Sequence, residues 1–579
     1  MGITALGIDC GGTHTDAALI EADKAKGTAT VVAQAKTDTI HENLVASIAE
    51  VVAALAREME DPAPLLRAER ISIGSTLAVN ALVQGRADKV GLALSAGSGL
   101  DPSHFALGDL VCVVPGGLDH RGEETSRLFL DELEREARAW PSKGAAAIAC
   151  VGKFSPRDPA HENKMGEIAG RASGLPVTLG HTLSGRLNFP RRIATAYYSA
   201  AISRLHNSFL DACEDALKRQ GLKAQCRLLK ADGGAIPFGL SRREPAQSIL
   251  SGPAASVMGA LALWPGVDAK CALLLDMGGT TTDIALFLDG SPVLDRRGMT
   301  IKGRRTLVRS LAAVSIGVGG DSTLNRESGP DGKRRITAGP RRDGPAMAFG
   351  GLKPSLMDAL NVLNRDRPDL VRGDLAKSEA GLAAFAAENG FSPEQIYEIA
   401  REAAEDGIQK IARAVYDLVE TINSGPIYTL SDLKARKDAR PTIACLVGGP
   451  APCVRELLSS ALGMSVEIAP NFEVANAVGA ALAIPTASIE AWADTGKGEL
   501  YVPAMDYRAS VPASMSLAEL EQTALELLKR KMRDEGMEDG KAEVVESDLF
   551  ATLDDRGRGA RDMRVVCQAR PGIVARISD

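Results

Sequence analysis

The chain has 579 residues, 45% of them hydrophobic and 24% charged, which is ordinary globular usage and sets aside collagenous, low-complexity and disordered classes. At roughly 150 residues per domain, that length predicts about four structural units. Lys+Arg 67 against Asp+Glu 74 leave a net charge of -7, so the whole chain offers no attraction to a nucleic-acid backbone or an anionic membrane surface. The first ten residues lack a basic region followed by an apolar stretch, and the most apolar run, Ile249 to Trp264, is broken by Gly, Pro and Ser. Neither a secretory signal nor a membrane span is therefore expected, and a cytoplasmic location is. The nine cysteines are scattered without a C-x-x-C pair, which argues against a zinc knuckle, an iron–sulfur cluster or a disulfide framework.

In chain order, the first predicted element is a strand, a tight Gly turn and a second strand across Leu6 to Leu19, and it recurs across Leu273 to Leu286. Both copies read D-x-G-G-T-x-T-D. Paired glycines (Gly11 and Gly12; Gly278 and Gly279) let backbone N–H groups approach an anion, and Thr13, Thr15, Thr280 and Thr281 add short hydroxyl donors. A polyphosphate suits such a turn. The leading carboxylates, Asp9 and Asp276, stand at strand ends where they can order Mg²⁺ through water, and the trailing Asp16 and Asp283 can hydrogen-bond the loop or orient a metal-bound water. One turn alone could serve only a hairpin; the same residues in both halves point to two lobes facing one triphosphate. His14, inside the first turn, is open to a contact with phosphate or substrate and equally to a structural role.

Between the copies, Thr76 and Asn80 would share a helix face and, with Arg86, could line a substrate pocket; satisfaction of backbone groups is an equal reading for the asparagine. All seven histidines lie at or before His206, and for His161 and His181 a capping or core role competes with chemistry. Residues 251–262 are small and apolar at helical spacing. After the second copy, Gly317 to Ser322 is a third Gly-rich turn, with Gly319 and Gly320 and a serine able to donate to phosphate. The basic run Lys333 to Arg335 with Arg341 and Arg342 reads as a solvated loop. A helical insertion is predicted over about 353–423, a strand and Gly turn at Cys445 to Gly448, Gly449 and Pro450, and a small-residue helix within 471–483. In the tail, Ser516 and Glu519 form a capping box before a helix, and Arg564 to Arg570 reads as a strand.

The paired turns resemble the two phosphate loops of the actin, sugar kinase and Hsp70 ATPase superfamily. Gly74 to Arg86, Phe154 to Glu162, Lys230 to Gly234, Leu250 to Ala254 and Asp276 to Thr280 narrow the resemblance to the hydantoinase A / 5-oxoprolinase family, over about residues 3–485. That resemblance implies an α/β, two-lobed actin-like (ribonuclease H-like) ATPase fold with a helical insertion and a small C-terminal appendage, divided as 1–183, 184–485 and 486–579. It implies ATP and Mg²⁺ as cofactors, with Asp9, Asp276 and Asp283 catalytic and Asp9 and Asp276 at the metal. Gly11, Gly12, Thr13, Thr15, Gly278, Gly279, Thr280, Thr281, Gly319 and Gly320 would surround phosphate, and Gly448 and Gly449 would form the adenosine-side turn. Residues 251–262 and 471–483 would be the interlobe helices. The implied reaction activates a cyclic amide, such as a hydantoin or 5-oxoproline, or a related carbonyl compound by phosphorylation, alongside a hydantoinase B-type partner subunit. Self-association is left open, and an ATP-driven activator of a partner protein is the alternative. His14 stands where the family usually has Phe, the third Gly-rich turn departs from the usual pattern, and the tail beyond 485 is unmatched.

Overall fold

Nine mostly apolar residues make Gly2–Cys10 a strand, β1, which turns back as β2, His14–Asp23, with Asp9 opposite Asp16. β3, Thr28–Asp38, alternates exposed and less exposed residues along its length, consistent with a strand covered on one face. β4, Arg70–Ser75, and β5, Gln225–Leu229, then add parallel to β1, giving the order β5-β4-β1-β2-β3, extended by Ala235–Pro237 at one edge and Arg576–Ile577 at the other. These coordinates are a computed structural model that describes residues 2–578 apart from 41, 84, 98, 296, 329–333, 425–437, 538–539, 554–556 and 558.

The second sheet repeats this plan. β6, Cys271–Met277, pairs antiparallel with β7, Thr282–Leu288, placing Asp276 opposite Asp283. β8, Ala313–Ile316, follows antiparallel on β7, while β9, Ile443–Val447, and β10, Ser465–Ile468, add parallel beyond β6. The order β10-β9-β6-β7-β8 matches the first sheet strand for strand, and the duplication makes this a two-lobed actin-like ATPase fold.

Two helices join the lobes, α1, Ser251–Leu263, and α2, Ala475–Leu482. Val257, Met258 and Leu261 of α1 and Val478 and Leu482 of α2 share one core with Ala18 and Ile20 of the first sheet and with Leu274, Phe287 and Val447 of the second. The helices touch through glycine. A Cβ on Gly479 would overlap the Ala255 carbonyl and the Gly259 nitrogen, and one on Gly259 would overlap the Ala475 carbonyl.

Other units decorate this frame. Between β4 and β5, four parallel strands run in the order Val177–Leu179, Ala145–Gly152, Lys89–Ser95, Leu110–Val113. The 31-residue helix Phe189–Arg219 returns the chain to the first sheet. For that reason a boundary at 183/184 cuts across the first lobe: the helix is the crossover that a parallel β4–β5 pair requires. Helices Leu356–Leu363, Leu375–Glu388 and Ile396–Asn423 bury Leu360, Phe385 and Ile411 against Leu273 and Leu275 of β6. The tail builds a five-stranded antiparallel sheet from Ser488 to Ala569, with the helix Leu517–Asp534, capped by Ser516 and Glu519, across its face. Among the described residues no helix is long and apolar enough to cross a membrane.

Replacing glycine by alanine inside a helix ordinarily stabilises it by about 1 kcal/mol. Gly479→Ala is expected to do the opposite, destabilising by roughly 1–3 kcal/mol because the methyl group forces the two helices apart. A urea midpoint that rises in the variant would refute the close crossing.

Candidate functional site

Each turn closes on itself in the same way. The Gly11 N–H donates to the His14 carbonyl at 3.0 Å, and the Gly278 N–H donates to the Thr281 carbonyl at 2.9 Å. The two turns meet head to head, with the Thr13 and Thr280 hydroxyls 3.3 Å apart. Beneath them, the Asn476 amide, in the first turn of α2, donates to Asp9 Oδ2 at 3.3 Å and to Asp276 Oδ2 at 3.2 Å. Ser256 of α1 donates to the same Asp276 oxygen at 2.5 Å. One leading carboxylate from each lobe is thus held by side chains of the joining helices.

Room for these carboxylates is made by glycine. A Cβ on Gly74 of β4 would overlap Asp9 Oδ1, and Gly448, at φ 94°, brings its turn so near that a Cβ would sit 2.9 Å from Asp276 Oδ1. Gly449, beside it, borders open space. Thr15 does not face the turn's mouth; its buried hydroxyl pairs with Thr39 at 3.0 Å, and Thr39 in turn donates to the Gly11 carbonyl at 3.1 Å. The third Gly-rich segment backs the second turn, with Gly320 N–H on the Gly278 carbonyl at 3.0 Å and Asp321 N–H on the Gly279 carbonyl at 2.7 Å. Ser322 is spent within its own turn, accepting from Gly319 N–H at 2.9 Å.

Four carboxylates therefore crowd one place. Burial, with Asp16 and Asp276 adding repulsion, pushes Asp9 up to about 7, and burial with Asp276 nearby does the same to Asp283. Burial also raises Asp16 and Asp276. The cation that answers them, Lys36 of β3, is 2.8 Å from Asp16 Oδ1 and donates to the Glu473 carbonyl at 2.7 Å. Asp9 Oδ1 and Asp283 Oδ1 are buried with no hydrogen-bond partner among the described residues. Such orphaned carboxylate oxygens suit a divalent cation. Among the described residues no three His, Cys, Asp or Glu side chains are placed to hold a metal ion by themselves; Mg²⁺ ordinarily takes one or two carboxylates and completes its shell with water and phosphate oxygens. Asp9 and Asp276, one from each lobe, are side chains that could hold one.

Of the remaining sequence candidates, Thr76 donates to the Cys10 carbonyl at 3.3 Å and so belongs to the site's floor. Arg86 is exposed, and the Asn80 side chain and Lys333 lie outside the described residues. His14 is partly exposed, 3.6 Å from Asp38. His181 shares a hydrogen bond of 2.7 Å with the buried Glu162, which also accepts from Gly152 N–H, so this pair ties together strand ends of the inserted sheet. Three cleft residues escape sequence reasoning: Asn476, Lys36 and Arg342. Asn476 leaves one signal, a polar residue in an otherwise small and apolar helix; Lys36 leaves none.

The sign of the pH dependence follows from Asp283. The unfolded chain sheds this proton near the usual carboxylate value, about 3.9, whereas the folded chain keeps it up to about 7. Raising pH across that window therefore costs stability, on the order of 4 kcal/mol. Without nucleotide or divalent ion, Asp283→Asn is expected to lose less thermal stability between pH 5 and pH 8 than the parent; parallel losses would contradict the assignment.

Residues 192–489, just over half the chain, match the hydantoinase/oxoprolinase family, and residues 5–173 match the hydantoinase/oxoprolinase N-terminal region. The chain is 24% identical over 419 residues to the acetophenone carboxylase gamma subunit of Aromatoleum aromaticum, covering 64% of this chain and 54% of that one. It is 24% identical over 384 residues to the caprolactamase subunit alpha of Pseudomonas jessenii, covering 61% and 53%. The chain spans about half the length of the curated relatives it matches. In fold it is similar to a nucleotide-free acetone carboxylase structure described for ATP-dependent acetone carboxylation, with a TM-score of 0.71 at 18% identity over 99% of this chain and 89% of that one. The ATP-dependent caprolactamase from Pseudomonas jessenii gives a TM-score of 0.68 at 19% identity over 98% and 88%. The chain belongs to the hydantoinase/oxoprolinase family.

Proposed function

We propose that the cleft binds ATP with Mg²⁺ and that the chain transfers the γ-phosphoryl group to the carbonyl oxygen of a cyclic amide, of the hydantoin or 5-oxoproline kind, or of a related carbonyl compound. The observation that carries this reading is the meeting of the two D-x-G-G-T turns, 3.3 Å apart at Thr13 and Thr280, above carboxylates contributed by both lobes. Relatives named as an ATP-dependent caprolactamase and as a subunit of a ketone carboxylase support the substrate class.

An amide carbonyl resists water because nitrogen donates into it. Once its oxygen carries phosphate, the carbon becomes a better electrophile with a good leaving group. In that step the bond from γ-phosphorus to the ADP oxygen breaks with its electron pair leaving on ADP, the bond to the substrate oxygen forms, and the ring nitrogen gives its proton to solvent. Such transfer asks the protein for position and charge neutralisation more than for covalent chemistry. The N–H groups of Gly12 and Gly279 and the hydroxyls of Thr13 and Thr280 cradle the phosphates, while Gly11 and Gly278, whose N–H groups close the turns, let the backbone come close. Asp9 and Asp276 would hold Mg²⁺, which would supply charge neutralisation at the phosphates. Asp283, whose Oδ1 is buried without a hydrogen-bond partner among the described residues, would accept a hydrogen bond beside the metal site, and the Gly448–Gly449 turn takes the adenosine side. Relatives named as gamma and alpha subunits support a partner, of the hydantoinase B type, that completes hydrolysis.

Phosphate release with MgATP across hydantoins, 5-oxoproline, lactams and ketones, with and without a B-type subunit, tests the reading. Release stimulated by one of these small molecules is expected, and Asp276→Asn should lower it by about 100-fold or more. Stimulation by a protein alone, with none of the small molecules active, would favour a partner activator instead.

A further inference from the structure

Arg342 sits in a basic stretch whose sequence suggests a solvated loop, and the structure folds it inward. Its neighbours are pinned on both sides: the Arg341 carbonyl accepts from Thr323 N–H at 2.9 Å, and Asp343 N–H donates to the Thr323 hydroxyl at 3.0 Å. The guanidinium is pinned as well. Its Nε and one terminal nitrogen lie 3.1 and 3.0 Å from a single oxygen, Oδ2 of Asp321, while Asp321 Oδ1 accepts from Ala346 N–H at 3.0 Å. Asp321 in turn presses on the second phosphate turn. The point where a Cβ on Gly279 would stand is 2.6 Å from Asp321 Oδ2 and 3.0 Å from Thr13 Oγ1 of the opposite turn.

The guanidinium is therefore anchored by one edge where the two turns meet. Its other terminal nitrogen has no hydrogen-bond partner among the described residues, and the side chain is 23% exposed, so that edge is open. Its charge is felt by His14 in the first turn. Lys36, the other cation here, is already committed to Asp16 and the Glu473 carbonyl.

We propose that Arg342 is a catalytic residue whose free edge contacts the phosphoryl group during transfer. The inference rests on the ATP reading of the cleft and deepens it. As the phosphorus–oxygen bond to ADP breaks and the bond to the acceptor oxygen forms, charge spreads over the three equatorial oxygens, and a guanidinium held by a carboxylate on one side donates to them from the other. Arg342 gains and loses no proton. The bland account is that Arg342 only neutralises Asp321, and the two accounts separate by experiment.

Affinities for ADP and for the β,γ-imido analogue of ATP are measured with Mg²⁺ by calorimetry, and ATP hydrolysis by phosphate release, in the parent, Arg342→Met, Arg342→Lys and the double variant Asp321→Asn/Arg342→Met. The expected result is ADP affinity within about 3-fold of the parent in every variant, with the preference for the triphosphate analogue lost in Arg342→Met and partly kept in Arg342→Lys. Hydrolysis by Arg342→Met should fall about 100-fold or more, recover in part with free guanidinium ion, and stay low in the double variant. An unchanged triphosphate preference, or recovery in the double variant, overturns the proposal and leaves the cleft reading standing. Failure of the parent to bind either nucleotide overturns the cleft reading itself.

Discussion

The site depends on one close approach, the crossing of α1 and α2 at Gly259 and Gly479. With no side chain between them, the helices come near enough for Ser256 and Asn476, one from each, to reach the same oxygen of Asp276. Asn476 then reaches Asp9 in the other lobe. An amide fits this place because its nitrogen carries two hydrogens that can serve two carboxylates at once, with no charge to bury. Any bulk at the crossing would separate the lobes' carboxylates before it altered either turn.

Crowding carboxylates in this way is unfavourable by itself. Burial and mutual repulsion hold Asp9 and Asp283 partly protonated near neutrality, and a single lysine offsets them. Perturbed carboxylates of this kind cluster at active sites, and the crowding here is consistent with the proposed one. On the ATP reading proposed above, a net charge of -7 is no obstacle: local backbone N–H groups, hydroxyls and a cation can do what the overall charge does not.

Much of this was legible in the sequence because a repeat is a strong signal. Asp9 and Asp276, the glycine pairs and the threonines recur with identical spacing, and identical spacing in two halves of one chain forecasts two matching sheets. The small-residue runs around Gly259 and Gly479 foretold close helix packing. What stayed hidden depends on contacts between distant segments. Lys36 lies on a strand with no motif, and only the pairing of β2 with β3 sets it beside Asp16. Arg342 read as a loop cation because its partner, Asp321, is 21 residues away and joined to it only by folding. The membership of β5 in the first sheet was concealed by the long crossover helix before it, and the extent of the C-terminal sheet by strands whose pairing runs from Ser488 to Gln568.

The final strand has a mechanical consequence. Residues 572–577 run from α2 to the edge of the first sheet: Ile484 N–H donates to the Gly572 carbonyl and Val574 N–H to the Leu482 carbonyl, while Arg576 and Ile577 pair with Thr28 and Ala29 of β3. Arg576 also grips Asp268, at the foot of β6, through two contacts of 2.6 Å. The lobes are thus laced together at a third place beside the two helices. A connection made by a third segment ties the edge of the first sheet to the foot of the second without passing through either helix. Each ladder bond is worth only about 1 kcal/mol, so the lacing adds a modest, distributed tie between the lobes.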